Sequence, residues 1–309
     1  MVPSRLPQAH PTALVRNDGR PLPAFREQLR RIPSWRNAWS VLALYLQTGF
    51  VIWAGVRWAP WSTIPAFVLM GRAHAQFASL MHEAAHRLLF SNRRANDLVG
   101  RWLLGFAQYT STDAYRRVHM AHHRQEFGPD EPDVPLYRGY PIARDSLRRK
   151  LVRDVTGRTG IKLMRGVVLG WRSPDPKVRR TVYQVYAVQA VMIVAAIASG
   201  HWWVYPVLWL GPYLTVWRVI NRLRSIAEHG GMQLSSDRRA TTHSVKQSIG
   251  ARLFLVPYCI GWHLAHHVDS GVPFRHLPRY HRALREAGYV DASIEYPSYR
   301  AIWKALAAG

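Results

Sequence analysis

Residues 79–90 read SLMHEAAHRLLF, and within them His82-Glu83-Ala84-Ala85-His86 fits two different folds. Two histidines four apart on a helix share one face, their Cα atoms ~6 Å apart along the axis. With Glu83 between them they spell H-E-x-x-H, the zinc-protease pattern in which the glutamate is the general base. The same five residues also fit one corner of a larger histidine cage. What the rest of the chain supplies decides between the two.

The chain has 309 residues, with 42 Lys+Arg against 18 Asp+Glu and a formal net charge of +24. That excess invites a nucleic-acid reading. Against it, 48% of residues are hydrophobic and 13 are tryptophan. Basic loops beside apolar, Trp-bordered runs are the pattern of a membrane protein under the positive-inside rule, so no nucleic-acid partner is expected. A mean hydropathy of −0.16 means that much of the chain lies outside the bilayer. Cys259 is the one cysteine, which excludes an intrachain disulfide. The opening residues carry no apolar core of a secretory signal.

Working outward, residues 1–36 read as a basic cytoplasmic arm with a short amphipathic helix near AFREQLRRI (24–32). The run 38–56 is long enough to cross a hydrocarbon core of ~30 Å, and after the turn RWAPW (57–61) the run 62–81 heads back. Arg72 and His74 on this second run read as a polar pair facing the bundle interior. LVGRWLLGFAQY (98–109) is too short to span and reads as interfacial or re-entrant. The runs 182–200 and 202–220, joined at GHW, form a second hairpin. The fold expected is therefore all-α and integral to the membrane. Four transmembrane helices in two hairpins carry a histidine-rich cap; the body spans 37–290 and a tail 291–309. The long basic segments share one side, whereas RWAPW and ASGHWW, on the other, hold only Arg57 as a basic residue. This puts the cap in the cytoplasm, with a bacterial inner membrane as the expected location.

The 15 histidines settle the opening question. After His82 and His86, YRRVHMAHHRQEF (115–127) supplies His119, His122 and His123, and GWHLAHHVD (261–269) repeats the spacing with His263, His266 and His267. On a helix, i+3 and i+4 flank i on one face, so each triplet aims its imidazoles together. RSIAEHGG (224–231) adds His229 just past the fourth crossing, where Gly230 and Gly231 end the helix. Nine imidazoles exceed one metal's needs and suit two. With no thiolate set, imidazole favours iron, and iron activates O₂ where zinc does not. His10, His201, His243, His276 and His281 fall outside the repeated spacing and read as ordinary histidines.

This order of histidine boxes, interleaved with two membrane hairpins, resembles the integral-membrane fatty acid desaturase and hydroxylase superfamily over roughly residues 38–290. YRRVHMAHH and the closing VPFRHLPRYHRAL (272–284) add to the likeness. The resemblance implies a non-haem di-iron centre held by His82, His86, His119, His122, His123, His229, His263, His266 and His267. It implies O₂ as co-substrate and desaturation of a lipid acyl chain, with hydroxylation of an acyl chain, alkane or carotenoid as the alternative. No H-P-G-G haem motif of a fused cytochrome b5 occurs, so electrons are expected from a separate ferredoxin- or rubredoxin-type donor. The basic face suits an acidic donor, anionic membrane lipids or an acyl carrier alike. Glu83 and Glu228, each beside a ligand histidine, are candidates to orient ligands; Asp130, Glu131 and Asp133 are further ones.

Overall fold

Between residues 38 and 56 there is no proline, and Gly49 and Gly55 are the weakest helix formers. In the computed structural model, which describes residues 1–309, the run lies within one 24-residue helix. Along the chain the helices are α1 (Pro23–Leu29), α2 (Ser34–Arg57), α3 (Thr63–Ala85), α4 (Arg93–Leu98), α5 (Thr112–Arg124), α6 (Val134–Tyr137), α7 (Arg144–Val155) and α8 (Arg158–Val168). They continue with α9 (Pro176–Ala198), α10 (Gly211–Leu214), α11 (Val216–His229), α12 (Ile249–Phe254), α13 (His263–Val268), α14 (Leu277–Glu286) and α15 (Tyr299–Leu306). Strand is confined to β1 (Ser244–Val245) and β2 (Glu295–Tyr296), paired in parallel. The chain forms two units: residues Met1–Ile32, Arg116–Arg148 and Arg222–Gly309, and residues Pro33–Tyr115 and Arg149–Asn221.

The second unit is apolar outside and partly polar inside. On α2 the buried positions Asn37, Ser40, Val41, Leu44, Thr48, Val51 and Gly55 make one stripe at helical spacing. The opposite face exposes Trp39, Leu46, Phe50 and Trp53; on α9, Val191 is 69% exposed and Val194 63%. A water-soluble unit would not leave such faces bare. Inside, Gln47 bonds Gln76 at 2.8 Å and accepts from Arg72 at 2.7 Å. His74 lies 3.0 Å from the Trp209 carbonyl and is buried as an interior polar group, as expected. A Cβ on Gly71 would come within 2.3 Å of Val216, so this glycine permits a close helix approach.

Of the four expected crossings, two segments are long and apolar enough to cross a membrane: Pro23–Arg57, which contains α2, and α9. Only 33% and 22% of their apolar windows are buried, unlike the core helix of a soluble protein. The run 62–81 falls within α3 but for Ser62 at its N-cap, and the helix's Arg72, His74, His82 and Glu83 dilute its apolar character. Nor is 202–220 one continuous helix. Tyr205–Leu210 is a π-helical segment, α10 follows, and Thr215 (φ −121°, ψ −84°) breaks the path before α11. Pro206 and Pro212 each lack the N–H that a continuous helix needs. The 98–109 stretch is likewise short, with π-helical Val99–Gly105 followed by a 3₁₀ turn.

In the first unit, the arm and the tail are built into the fold that carries the histidine helices. α1 buries Phe25 and Leu29, and Arg26 bonds Asp269 at 2.6 Å, just after α13. The tail contributes β2 and the buried Tyr299, Ile302 and Leu306 of α15.

Candidate metal centre

Local helix geometry gathers the ligands. His119, His122 and His123 occupy the last two turns of α5, and His263, His266 and His267 almost fill α13. α11 ends at His229: the Gly230 amide donates to the Ile226 carbonyl at 2.8 Å, and Gly231 at φ +73° turns the chain away. That φ suits glycine, which lacks a Cβ. The first unit thus brings together seven of the nine candidate histidines. All seven are buried, none more than 9% exposed.

Their ligand nitrogens fall into overlapping groups. Those of His119, His123 and His266 lie within 4.8 Å of one another, as do those of His122, His229 and His267. The Nε2 of His123 is 3.0 Å from Nε2 of both His119 and His266. The Nε2 of His263 is 3.1 Å from that of His229 and 3.0 Å from that of His267.

Protons explain why these contacts favour a cation. The Nδ1 of His229 lies 2.9 Å from the Thr241 carbonyl, which can only accept, so the ring carries its proton there. His267 points Nδ1 at Glu126 at 2.5 Å, and His122 points its Nδ1 at Glu131. Burial, then neighbouring imidazoles, hold His229, His263 and His267 well below the usual histidine pKa. Neutral rings protonated outward turn lone pairs inward, and at most the His263 proton can lie among its three Nε2 atoms. A spacing of 3.0 Å is what two ligands about 2.1 Å from one ion make at a right angle. The donor set fits a metal bound by imidazole.

Carboxylates hold the rings from outside. Glu131, one of three candidates in FGPDEPDVP, accepts from His122, from the Tyr137 hydroxyl and from the Phe127 amide. Phe127 sits at φ +62°, a left-handed turn that brings the loop back toward α5. Burial disfavours a charged Glu131, yet His122 and Tyr137 hold its pKa below the ordinary range. Asp130 is exposed and Asp133 half-buried, and neither makes a side-chain bond to a histidine here. Glu228 accepts from Arg224 at 2.6 Å and stands 3.5 Å from the His263 Nδ1.

Glu126 escaped the sequence reading. Fully buried, it accepts from Arg238 and Thr241 besides His267. Burial pushes its pKa up, and Arg238 with the threonines pulls it back. A glutamate three residues past His123 was the available signal, but Arg124, Asp130, Glu131 and Asp133 surround it with similar charges.

The other two candidates, His82 and His86, lie in the second unit at the end of α3, their rings 4.7 Å apart. The helix closes there with the Leu88 amide on the Glu83 carbonyl at 3.0 Å and Arg87 at φ +60°, a Schellman end without its usual glycine. Glu83 is buried between them. Ordinary roles describe the remaining histidines. His281 pairs with Glu295 at 2.8 Å, His243 bonds the Gly230 carbonyl at 2.7 Å, and His276 bonds that of Arg31 at 3.1 Å.

Exposed apolar helices and a buried, carboxylate-braced histidine cluster define a membrane-associated, metal-binding helical protein. The chain belongs to the fatty acid desaturase family, whose model matches residues 57–300. It is similar to dihydrorhizobitoxine desaturase of Bradyrhizobium elkanii, at 21% identity over 278 residues, covering 82% of this chain and 78% of that protein. A shorter stretch of 60 residues is 40% identical to Delta(5) fatty acid desaturase fat-4 of Caenorhabditis elegans, covering 19% of this chain and 13% of that one. Family membership makes the protein a desaturase-like oxidoreductase and draws His82-Glu83-x-x-His86 away from the protease reading.

Proposed function

We propose that the protein is an O₂-dependent di-iron desaturase that introduces a double bond into a lipid acyl chain. The carrying observation is an apolar cavity of about 570 Å³ in the second unit, within the range of small-ligand sites. Tyr45, Ile52, Phe77, Leu103, Val188 and Trp209 are among its walls. Phe77 lies five residues before His82 on α3, about 7.5 Å along the axis. An alkyl chain held there runs toward the first histidine pair. The two relatives named above share desaturation but differ in the substrate their names carry. Desaturation is taken from both, and the acyl chain from the cavity.

His82 and His86 join the seven histidines of the first unit as ligands in this reading. Two iron ions held by these nine would supply O₂-dependent removal of hydrogen from an unactivated C–H bond. In balance, two hydrogens leave adjacent carbons and a C=C bond forms, while O₂ with two electrons and two protons becomes two waters. The electrons come from a separate ferredoxin- or rubredoxin-type protein. Glu126, Glu131 and Glu228 fix ring orientation, and Glu83 does the same for the first pair. Burial of the histidines keeps bulk water from the reacting carbon. The reading retains four crossings in two hairpins, the 37–290 body between arm and tail, and a cytoplasmic cap at a bacterial inner membrane.

Two expected results follow. Alkaline carbonate should leave the protein in the membrane pellet, because the bare faces of α2 and α9 need lipid; release by salt alone defeats the membrane reading. Gly49→Phe fills the cavity from α2, where an added Cβ meets nothing within 4 Å. It should shift product profiles toward shorter chains, with iron content unchanged. The lipids of a host expressing wild type should gain double bonds. Hydroxylated products in their place would assign the alternative reaction, and an unshifted profile for Gly49→Phe would remove the cavity from the substrate path.

A further inference from the structure

A groove of about 420 Å³ lies on the second unit where the 98–109 stretch meets the start of α9. Trp102, Arg179, Arg180, Tyr183 and Gln184 are among its walls, and no carboxylate is. Its two sides are fixed to each other. Gln189 of α9 donates to the Phe106 carbonyl at 2.7 Å, and Trp102 packs edge-on against Phe106 with ring centroids 5.1 Å apart. Arg179 is partly engaged, donating to the carbonyls of Ser173 and Pro174 at 2.7 and 3.0 Å. The Arg180 guanidinium, the Tyr183 hydroxyl and the Trp102 indole N–H make no hydrogen bond to the protein. Three open donors thus line one concave surface that holds no negative charge.

α8 sets the depth of this groove. Arg158, Lys162 and Arg165 fall at i, i+4 and i+7 on one face, while Ile161 and Leu163 on its flanks are more than half exposed. A basic amphipathic helix of this kind lies in the membrane–water interface. The Tyr186 hydroxyl of α9 donates to the Val168 carbonyl at the end of α8, at 2.6 Å. Arg180, ~9 Å back along α9, therefore lies among the headgroups. In the other direction Tyr183, Ala187, Ala190, Val194 and Ile197 recur at helical spacing as a bare stripe on α9. From Ala187 to Ile197 the stripe runs ~15 Å, half of a ~30 Å hydrocarbon core and so one leaflet.

We propose that the groove binds the phosphate of one anionic phospholipid of the surrounding bilayer, with an acyl chain of that lipid lying on the α9 stripe. Arg180 takes the phosphate oxygens, and the Tyr183 and Trp102 donors complete the cradle. Among residues 171–186, Arg172, Lys177, Arg179 and Arg180 stand against Asp175 alone, so a choline or ethanolamine cation has too little counter-charge there. This lipid is a resident of the protein's surface and not its substrate. The groove and the alkyl cavity share Trp102 and Ala187 as walls, so the bound lipid backs the cavity from outside without entering it. The proposal rests on the membrane reading and stands apart from the reaction.

The test titrates the full chain, in a neutral detergent, with dioleoyl phosphatidylglycerol, dioleoyl phosphatidylcholine and inorganic phosphate, and counts bound lipid by native mass spectrometry. Wild type should hold one phosphatidylglycerol per chain at least about tenfold more tightly than phosphatidylcholine, and inorganic phosphate should not displace it. Arg180→Gln should bind phosphatidylglycerol about tenfold more weakly, the size of one lost charge-assisted bond. Lys162→Gln on α8 removes the same charge outside the groove and should bind as wild type does. Ala190→Trp covers the stripe and should weaken binding as well, which separates a seated chain from a headgroup contact alone. Equal binding by wild type and Arg180→Gln, or an equal loss in Lys162→Gln, overturns the site in favour of general charge attraction. Equal affinity for the two lipids overturns the anionic headgroup and makes the groove an aromatic site for the choline cation. Displacement by inorganic phosphate, or unchanged binding in Ala190→Trp, overturns the seated lipid in favour of a bare anion site. Absence of double-bond formation in a host would remove the desaturase reading and leave these outcomes as they stand.

Discussion

His263→Ala is expected to remove metal and desaturation together, with a loss well beyond the roughly 10–100-fold that follows removal of a ligand's hydrogen-bond partner. The ring stands between His229 and His267, Nε2 to Nε2 at 3.1 and 3.0 Å, so its loss opens the middle of the group. His123→Ala and His266→Ala should behave alike, being 3.0 Å apart in the other group. His229→Ala should lower metal content and turnover in step while leaving the amount of protein in the membrane unchanged. The contrast is His281→Ala. It breaks a buried pair with Glu295 and costs stability, by about 3–5 kcal/mol at most, but metal per folded chain should hold. Metal analysis on size-selected, folded protein checks the set. Equal metal loss at His281 would mean that histidine removal acts only through the fold, and normal iron in His229→Ala would leave eight histidine ligands.

Glu126→Ala is expected to weaken metal binding about 10–100-fold, although Glu126 belongs to no histidine box. Its carboxylate holds the His267 Nδ1 at 2.5 Å and so keeps the Nε2 lone pair turned inward. The substitution also strips Arg238, Thr241 and Thr242 of a shared acceptor. Arg238→Ala separates the two effects, since it removes the ion pair and leaves the His267 bond. Chelator competition, read as a dissociation constant, should rank wild type tightest, Arg238→Ala next and Glu126→Ala weakest. If Glu126→Ala binds metal as wild type does, His267 is oriented by something else.

What could be read in the sequence was what short-range geometry governs. His119, His122 and His123 point together because a helix repeats every 3.6 residues, and α13 repeats the device with His263, His266 and His267. His229 was legible because two glycines mark the end of α11. The apolar runs 38–56 and 182–200 announced α2 and most of α9, since hydropathy sums over neighbours.

Tertiary structure decided the rest. Glu126 reaches Thr241 and His267 across 115 and 141 residues, and no local pattern encodes such a pairing. The choice of Glu131 over Asp130 and Asp133 depended on the turn at Phe127, which leaves one of three similar carboxylates facing His122. The run 202–220 was apolar apart from Arg218, yet hydropathy carries no record of the amides missing at Pro206 and Pro212, and the chain broke at Thr215. Residues 1–36 read as a basic arm with a short amphipathic helix near 24–32, and α1 (Pro23–Leu29) lies there. What holds that helix, burial of Phe25 and Leu29 and the Arg26–Asp269 bond across 243 residues, only folding decided, because charge and hydropathy are properties of a segment whereas these contacts join segments far apart in the chain.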